Sequence, residues 1–315
     1  DHFKDLFHEL AENDRQEAFR YINEEKLQFP CLFILMPEIE ALNLYENLNA
    51  RNIKTLKICA KKLNNQSLVS RVEQVSSRRD YKTYEALKWM FETGLQWEGP
   101  DGDNNTYDAI IDTVVALLIQ KYGEKTILPA VADLIFKRNQ KGLFIHDLVW
   151  DFFQEFDPAS LRLVAKRLLS NNPKDVELAC KLLHLQLPPD TDKKAAKKRL
   201  YKQYLSWLKE NSPFLYLTGE FFQLSSDPEH INIDLEAKYL CKKISYRNRK
   251  PVESFTEKEI GYLKKFRENA AEEQKILSTY SHKIHRRNMR SWQQWLQKRT
   301  EEQLDIAKAD LGVGP

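Results

Sequence analysis

The sequence predicts an all-α protein, and three observations predict it. Apolar residues recur at helical spacing from Phe3 to Leu311, which is the pattern of helices that each bury one face. Glycine is scarce at 9 of 315 residues, and β-branched residues are scattered among Leu, Lys, Glu and Ala instead of gathering into alternating runs. The third observation is punctuation. Within Asp157 to Leu187, Leu161, Val164, Ala165 and Leu168 make one stripe, and Ser170, Asn171 and Asn172 stop it. Pro173 opens a second stripe of Val176, Ala179, Leu182 and Leu183, which Pro188-Pro189 closes because proline cannot donate the helical hydrogen bond. Asp157 stands where it can cap the first turn, with Pro158 at the first helical position. The segment reads as an antiparallel helix pair, and little or no sheet is expected anywhere in the chain.

From the N-terminus, Phe3, Leu6, Phe7 and Leu10 form a helical stripe, and Asn13 or Asp14 can cap a second helix carrying Ala18, Phe19 and Ile22. The run Cys31 to Met36 is fenced by Pro30 and Pro37 and is far too short to span a bilayer, so no membrane span is expected. Helical spacing continues through Ile39, Leu42 and Leu48, then Ile53, Leu56, Cys59 and Leu63, then a region from Leu68 to Trp97 broken near Ser76-Ser77. The turn-rich loop Glu98 to Thr106 is the best candidate boundary. There Asp101, Asp103, Asn105 and Asp112 imitate a calcium loop, but Thr106 stands where glycine must make the sharp turn and Asp108 where an apolar residue belongs. No calcium site is expected.

Residues 107–156 are the most apolar, with Ile110, Ile111, Val114, Val115, Leu117 and Leu118 wrapping nearly all round one helix. Asp108, Asp112, Asp133, His146, Asp147 and Asp151 lie among them, with Asp108 and Asp112, and again Asp147 and Asp151, one turn apart. Such a set can hold a metal or transfer protons. In the absence of GxSxG, HExxH or a phosphate loop, the expectation is helix caps and solvated faces, with no metal and no cofactor.

The pair at 157–187 resembles a HEAT or armadillo-type repeat, whose second helix begins with an Asp-Val step and carries a basic residue six positions after the Asp. Asp175, Val176 and Lys181 hold those places. Thr126 precedes an earlier helix run and Asp190 or Thr191 a later pair, and the starts at Thr126, Asp157 and Asp190 lie 31 and 33 residues apart. The resemblance, mainly over residues 126–224, implies stacked antiparallel helix pairs, irregular in detail. Three regions are expected: residues 1–98 as an N-terminal helical region, 107–224 as the helix-pair core, and 234–315 as a basic helical segment.

Charge is uneven. Residues 1–157 carry 19 Lys and Arg against 26 Asp and Glu, whereas residues 158–315 carry 30 against 20. Basic residues Lys193, Lys194, Lys197, Lys198 and Arg199 read as a solvated helix face opposite Leu200, Tyr204, Trp207 and Leu208. The excess peaks over Lys238 to Arg299, with 17 basic and 6 acidic residues. Overlapping capping boxes at Ser254-Glu257 and Thr256-Glu259, and no proline until the C-terminal Pro315, predict long helix there. Within it Lys283, Arg286, Arg287 and Arg290 lie beside Tyr280, Trp292 and Trp295. Cations for phosphates and aromatic faces for bases are what nucleic-acid binding requires. A helix docked through Trp292 and Trp295, with a basic back, has the same pattern. His282 and His285 at i, i+3 have no convincing third metal ligand.

These features favour a non-enzymatic helical scaffold or adaptor that binds a macromolecule, protein or nucleic acid, whose anionic surface the basic second half contacts. The alternatives are a nucleic-acid-binding protein and, on the repeat resemblance, an enzyme similar to the helical-repeat DNA alkylpurine glycosylases, with Trp150 and Asp147 or Asp151 at the base. The oligomeric state is not legible. Cys31, Cys59, Cys180 and Cys241 stand far apart, as expected of reduced thiols in a cytoplasmic protein. The chain begins at Asp1 instead of Met, which leaves room for a removed leader, and nothing within it has the form of a signal peptide.

Overall fold

A computed structural model describes residues 2–76, 82–95, 97, 104–155, 157–187, 193–222 and 224–313. The protein is all-α. The chain falls into two compact units, Asp1–Ile135 with Asp147–Glu155, and Phe136–His146 with Phe156–Pro315.

The first unit opens with α1 (His2–Asn13) and α2 (Arg15–Ile22), the latter capped by Asp14, whose side chain accepts from the Glu17 amide. The proline-fenced run forms two short helices, α3 (Phe29–Ile34) and α4 (Met36–Ala41), with Pro30 and Pro37 in their first turns, where a missing N–H costs nothing. Then come α5 (Ala50–Lys62), α6 (Gln66–Ser76), α7 (Thr83–Gly94) and α8 (Asn104–Ala116), which runs on into a π-helical turn at Leu117–Lys121. The expected break near Ser76-Ser77 and most of the turn-rich loop, with Asp101 and Asp103, lie outside the described residues. Residues 104–112 are helical, whereas a calcium loop would need them as open chain.

Residues 98–103 lie outside the described residues, and the helices on either side of them, α7 and α8, fall in the same unit. Phe29 of α3 stacks on Tyr107 of α8 with ring centroids 5.5 Å apart, and the Tyr107 hydroxyl donates to the Gly94 carbonyl of α7 at 2.8 Å. A Cβ at residue 94 would stand 2.8 Å from that hydroxyl, so glycine is what allows the approach. The division runs instead through α9 (Leu128–Lys141), after Ile135, and α10 (His146–Phe153), after His146. Turn chemistry interrupts a helix locally, while units are decided by which apolar faces meet.

The second unit is built on the predicted pair, α11 (Ala159–Lys166) with a 3-10 turn at Arg167–Leu169, and α12 (Pro173–Leu182). Asp157 accepts from the Ala159 amide and Asn172 from the Lys174 amide, satisfying first-turn donors. Leu161, Val164, Ala165, Leu168, Val176, Ala179, Leu182 and Leu183 are all buried. The stops at Pro188-Pro189 and the start at Asp190 or Thr191 lie outside the described residues. From there α13 (Lys194–Asn211) follows, packing on α11 and its 3-10 turn, and the next described elements are a 3-10 turn at Ser212–Phe214 and a short strand. Pro213 and the strand-favouring residues behind it lead into β1 (Leu215–Leu217), antiparallel to β2 (Ile231–Ile233) with Leu215 opposite Ile233.

After α14 (Leu235–Tyr239) the expected long helix is four helices: α15 (Glu257–Arg267), α16 (Ala271–Arg287), α17 (Met289–Leu296) and α18 (Thr300–Leu311). Helices end here without proline. Asn288 takes an extended conformation, and its side chain caps α17 by accepting from the Ser291 amide. The Thr256-Glu259 capping box does open α15. The four helices close on a core of Tyr239, Leu263, Phe266, Leu277, Tyr280, Trp295, Leu296, Leu304 and Ala307.

Candidate anion-binding site

The period of α16 sets the site. Thr279, His282, Lys283 and Arg286 fall at i, i+3, i+4 and i+7, and Arg287 follows one position on, so all five share one broad face. The opposite face, with Leu277 and Ser281, enters the core, and the buried Tyr280, two turns before Arg287, flanks the cationic face. Lys238, in the last turn of α14, and Glu210, near the end of α13, complete the walls of a cavity of about 420 Å³ on this face. Three of the predicted cations, Lys283, Arg286 and Arg287, therefore line one opening.

Their existing partners are few. Lys283 pairs with Asp310, which also stands 3.9 Å from Arg287, and Arg286 lies 3.6 Å from Glu210. Arg286 and Arg287 are exposed, so these pairs are weak in water. Lys238 differs, being only 8% exposed. No hydrogen bond or ion pair joins its ammonium to a described residue, and burial pushes its pKa down, against the opposing pull of Glu210. His282 packs edge-on against the Phe214 ring at 5.1 Å. Burial first, then the charges of Lys238 and Arg286, lower its pKa to about 4, so its imidazole is neutral at pH 7. The wall thus offers four cations, a hydroxyl and a neutral ring N–H donor, which together suit an anion.

The other predicted site residues lie elsewhere. Arg290 is exposed on α17 and does not line the cavity. Tyr280 and Trp295 are buried, with rings 5.2 Å apart, and Trp295 also meets Tyr239 edge-on. Trp292 is half-buried, donating its Nε1–H to the Ser281 hydroxyl, with His285 against its ring at 4.7 Å. Faces so occupied cannot stack a base. The aromatic residues dock the helices, and Lys283, Arg286 and Arg287 stand at the cavity. Lys238, Thr279 and Glu210 were not legible as site members, because only the packing of α13, α14 and α16 brings them to Arg286. His282 was legible only as a potential ligand.

The acid set around residues 108–151 is divided, with His146 in the second unit and the aspartates in the first. Asp151 is buried and accepts from the Gln120 amide at 2.6 Å. Burial raises its pKa to about 7, and Asp112 and Asp147 add to the effect. Asp147 itself is exposed. Among the described residues no group of three or more His, Cys, Asp or Glu is arranged to hold a metal ion, and no helix is long and apolar enough to cross a membrane.

No family model, curated protein or solved structure matches this chain.

Proposed function

We propose that this is a non-enzymatic helical binding protein whose second unit docks an anionic face of a macromolecular partner at the cavity between α13, α14 and α16. The observation that carries this reading is the convergence of Lys238, Lys283, Arg286 and Arg287 on one opening, opposed by two carboxylates, Glu210 and Asp310. A partner protein is favoured over single-stranded nucleic acid, because Tyr280 and Trp295 are committed to the core and Trp292 to Ser281. The free thiols of Cys31, Cys59, Cys180 and Cys241 support a reducing, cytoplasmic setting.

A repeat-like stacking of helix pairs is part of the same proposal. Its support is Asp175, buried at the start of α12, which accepts from Gln140 of the preceding α9 at 2.8 Å and from Ser170 of its own pair at 2.7 Å. Lys181, at the basic position, lies instead over the Phe222 ring at 4.8 Å.

The test is binding of poly-glutamate and of single- and double-stranded oligonucleotides to the full chain, by fluorescence anisotropy at low and physiological salt. Poly-glutamate is expected to bind, to weaken as salt screens the charges, and to weaken further with the exposed Arg286→Ala and Arg287→Ala. Tighter binding of an oligonucleotide, with a steep salt slope, would give the partner as nucleic acid. Failure of every polyanion at low salt would end the reading.

A further inference from the structure

We propose that the group recognised in this cavity is a phosphate monoester dianion, carried either by a phosphorylated side chain of a partner or by a free small ester. The proposal rests on the cavity being the anion site argued above, and it narrows the chemistry of what enters.

Charge comes first. Lys238, Lys283, Arg286 and Arg287 supply four positive charges, and Glu210 and Asp310 return two. The C-terminal end of α16, where Arg286 and Arg287 sit, contributes roughly half a negative charge more. About one and a half positive charges remain, close to the roughly −1.5 to −2 of a phosphate monoester at neutral pH. A carboxylate or a backbone phosphodiester, each a single negative charge, leaves part of that excess unmatched.

Lys238 is the second, independent observation. Lys238 is only 8% exposed, no hydrogen bond or ion pair joins its ammonium to a described residue, and Glu210 pulls on it only at a distance, so its charge is only partly compensated in the empty protein. An anion seated in the cavity adds counter-charge that Glu210 alone leaves short. Around it, Arg286 and Arg287 present planar forks suited to two oxygens of one tetrahedral group, and Thr279 and the neutral His282 present single donors. That donor surplus matches three acceptor oxygens better than the two of a carboxylate. The volume of about 420 Å³ exceeds what a bare phosphate fills, and it lies within the range of about 300–1,000 Å³ of small-ligand sites, leaving room for the esterified group.

The experiment is calorimetric titration of the full chain with inorganic phosphate, phosphoserine, a phosphoserine peptide, its unphosphorylated counterpart, and an oligonucleotide lacking a terminal phosphate. Inorganic phosphate and phosphoserine should bind and compete with each other. Binding should fall at least threefold between pH 7.5 and 5.5 as the dianion takes up a proton. Lys238→Met should weaken phosphate binding at least tenfold while raising the melting temperature of the ligand-free protein, an outcome that a merely structural lysine would reverse. Arg287→Gln, at an exposed position that folding does not depend on, should weaken phosphate at least threefold. A phosphopeptide at least tenfold tighter than phosphoserine identifies a protein-borne phosphate, and equal affinities identify a free ester. If poly-glutamate or the oligonucleotide binds through Arg286 while phosphate neither binds nor competes, the monoester inference is wrong and the anion site stands. If no anion binds, both fall.

Discussion

The indole Nε1–H of Trp292 donates to the Ser281 hydroxyl at 2.8 Å, and that hydroxyl in turn donates to the carbonyl of Tyr239. One short chain of hydrogen bonds thus ties α17 to α16 and α16 to α14. Ser281 has no exposed surface, so the polar chain is sealed inside the C-terminal helices. This leaves α16 with one fixed face inward and its cations outward.

The tryptophans should therefore behave as structural residues. Trp295→Ala should lower stability in urea unfolding by about 3–5 kcal/mol, as for large aromatic deletions in a core. Trp292→Phe, which keeps an aromatic ring but removes the donor and part of the ring's volume, should cost at least about 1 kcal/mol. Arg290→Ala, at an exposed position, should stay within about 0.5 kcal/mol. A Trp295 variant as stable as the parent would put the indole outside the core.

Leu168 belongs to the pair on which the second unit is built, and it has no exposed surface. It sits in the 3-10 turn that ends α11, packed toward α12 and α13. Leu168→Ala should cost about 2–5 kcal/mol by the same measurement. A loss below about 0.5 kcal/mol would show that the site collapses or was never packed.

Asp151 gives the first unit a pH dependence of predictable sign. Its carboxyl ordinarily titrates at 3.8 and here titrates at about 7, because burial disfavours the charged form. The fold therefore favours the protonated acid. That contribution is complete below about pH 4, and it is lost as pH rises towards 7, when the unfolded chain has released a proton that the folded one still holds. Asp151→Asn keeps an acceptor for Gln120 and removes the titration. It should raise the melting temperature at pH 8 and flatten the stability profile between pH 4 and 7, where the parent should lose up to about 1.4 kcal/mol for each step of one in pH. An unchanged profile would mean that the carboxylate is solvated.

Much of the fold was legible because helix periodicity and capping are local. The stripe from Leu161 to Leu183, the Asp14 cap and the Thr256-Glu259 box depend on residues three or four apart, and all appear where the sequence places them. Less was legible where a local signal competes with a contact from far along the chain. The turn-rich stretch near residue 98 reads as a boundary in sequence, yet Tyr107 after it stacks on Phe29 before it, and Asn288 ended a helix without any proline to announce it.

The sequence by itself determined that the protein is helical, that α11 and α12 pair, and that Lys283, Arg286 and Arg287 share a helix face, since each follows from backbone geometry over a few turns. Tertiary structure alone decided that Tyr280 and Trp295 are buried in a core, and that Lys238 of α14 lines the same cavity as Arg286, with no hydrogen bond or ion pair on its ammonium among the described residues. Burial and counter-charge are properties of what surrounds a side chain. For these residues the surroundings arrive from tens of positions away, where no periodicity in the sequence can reveal them.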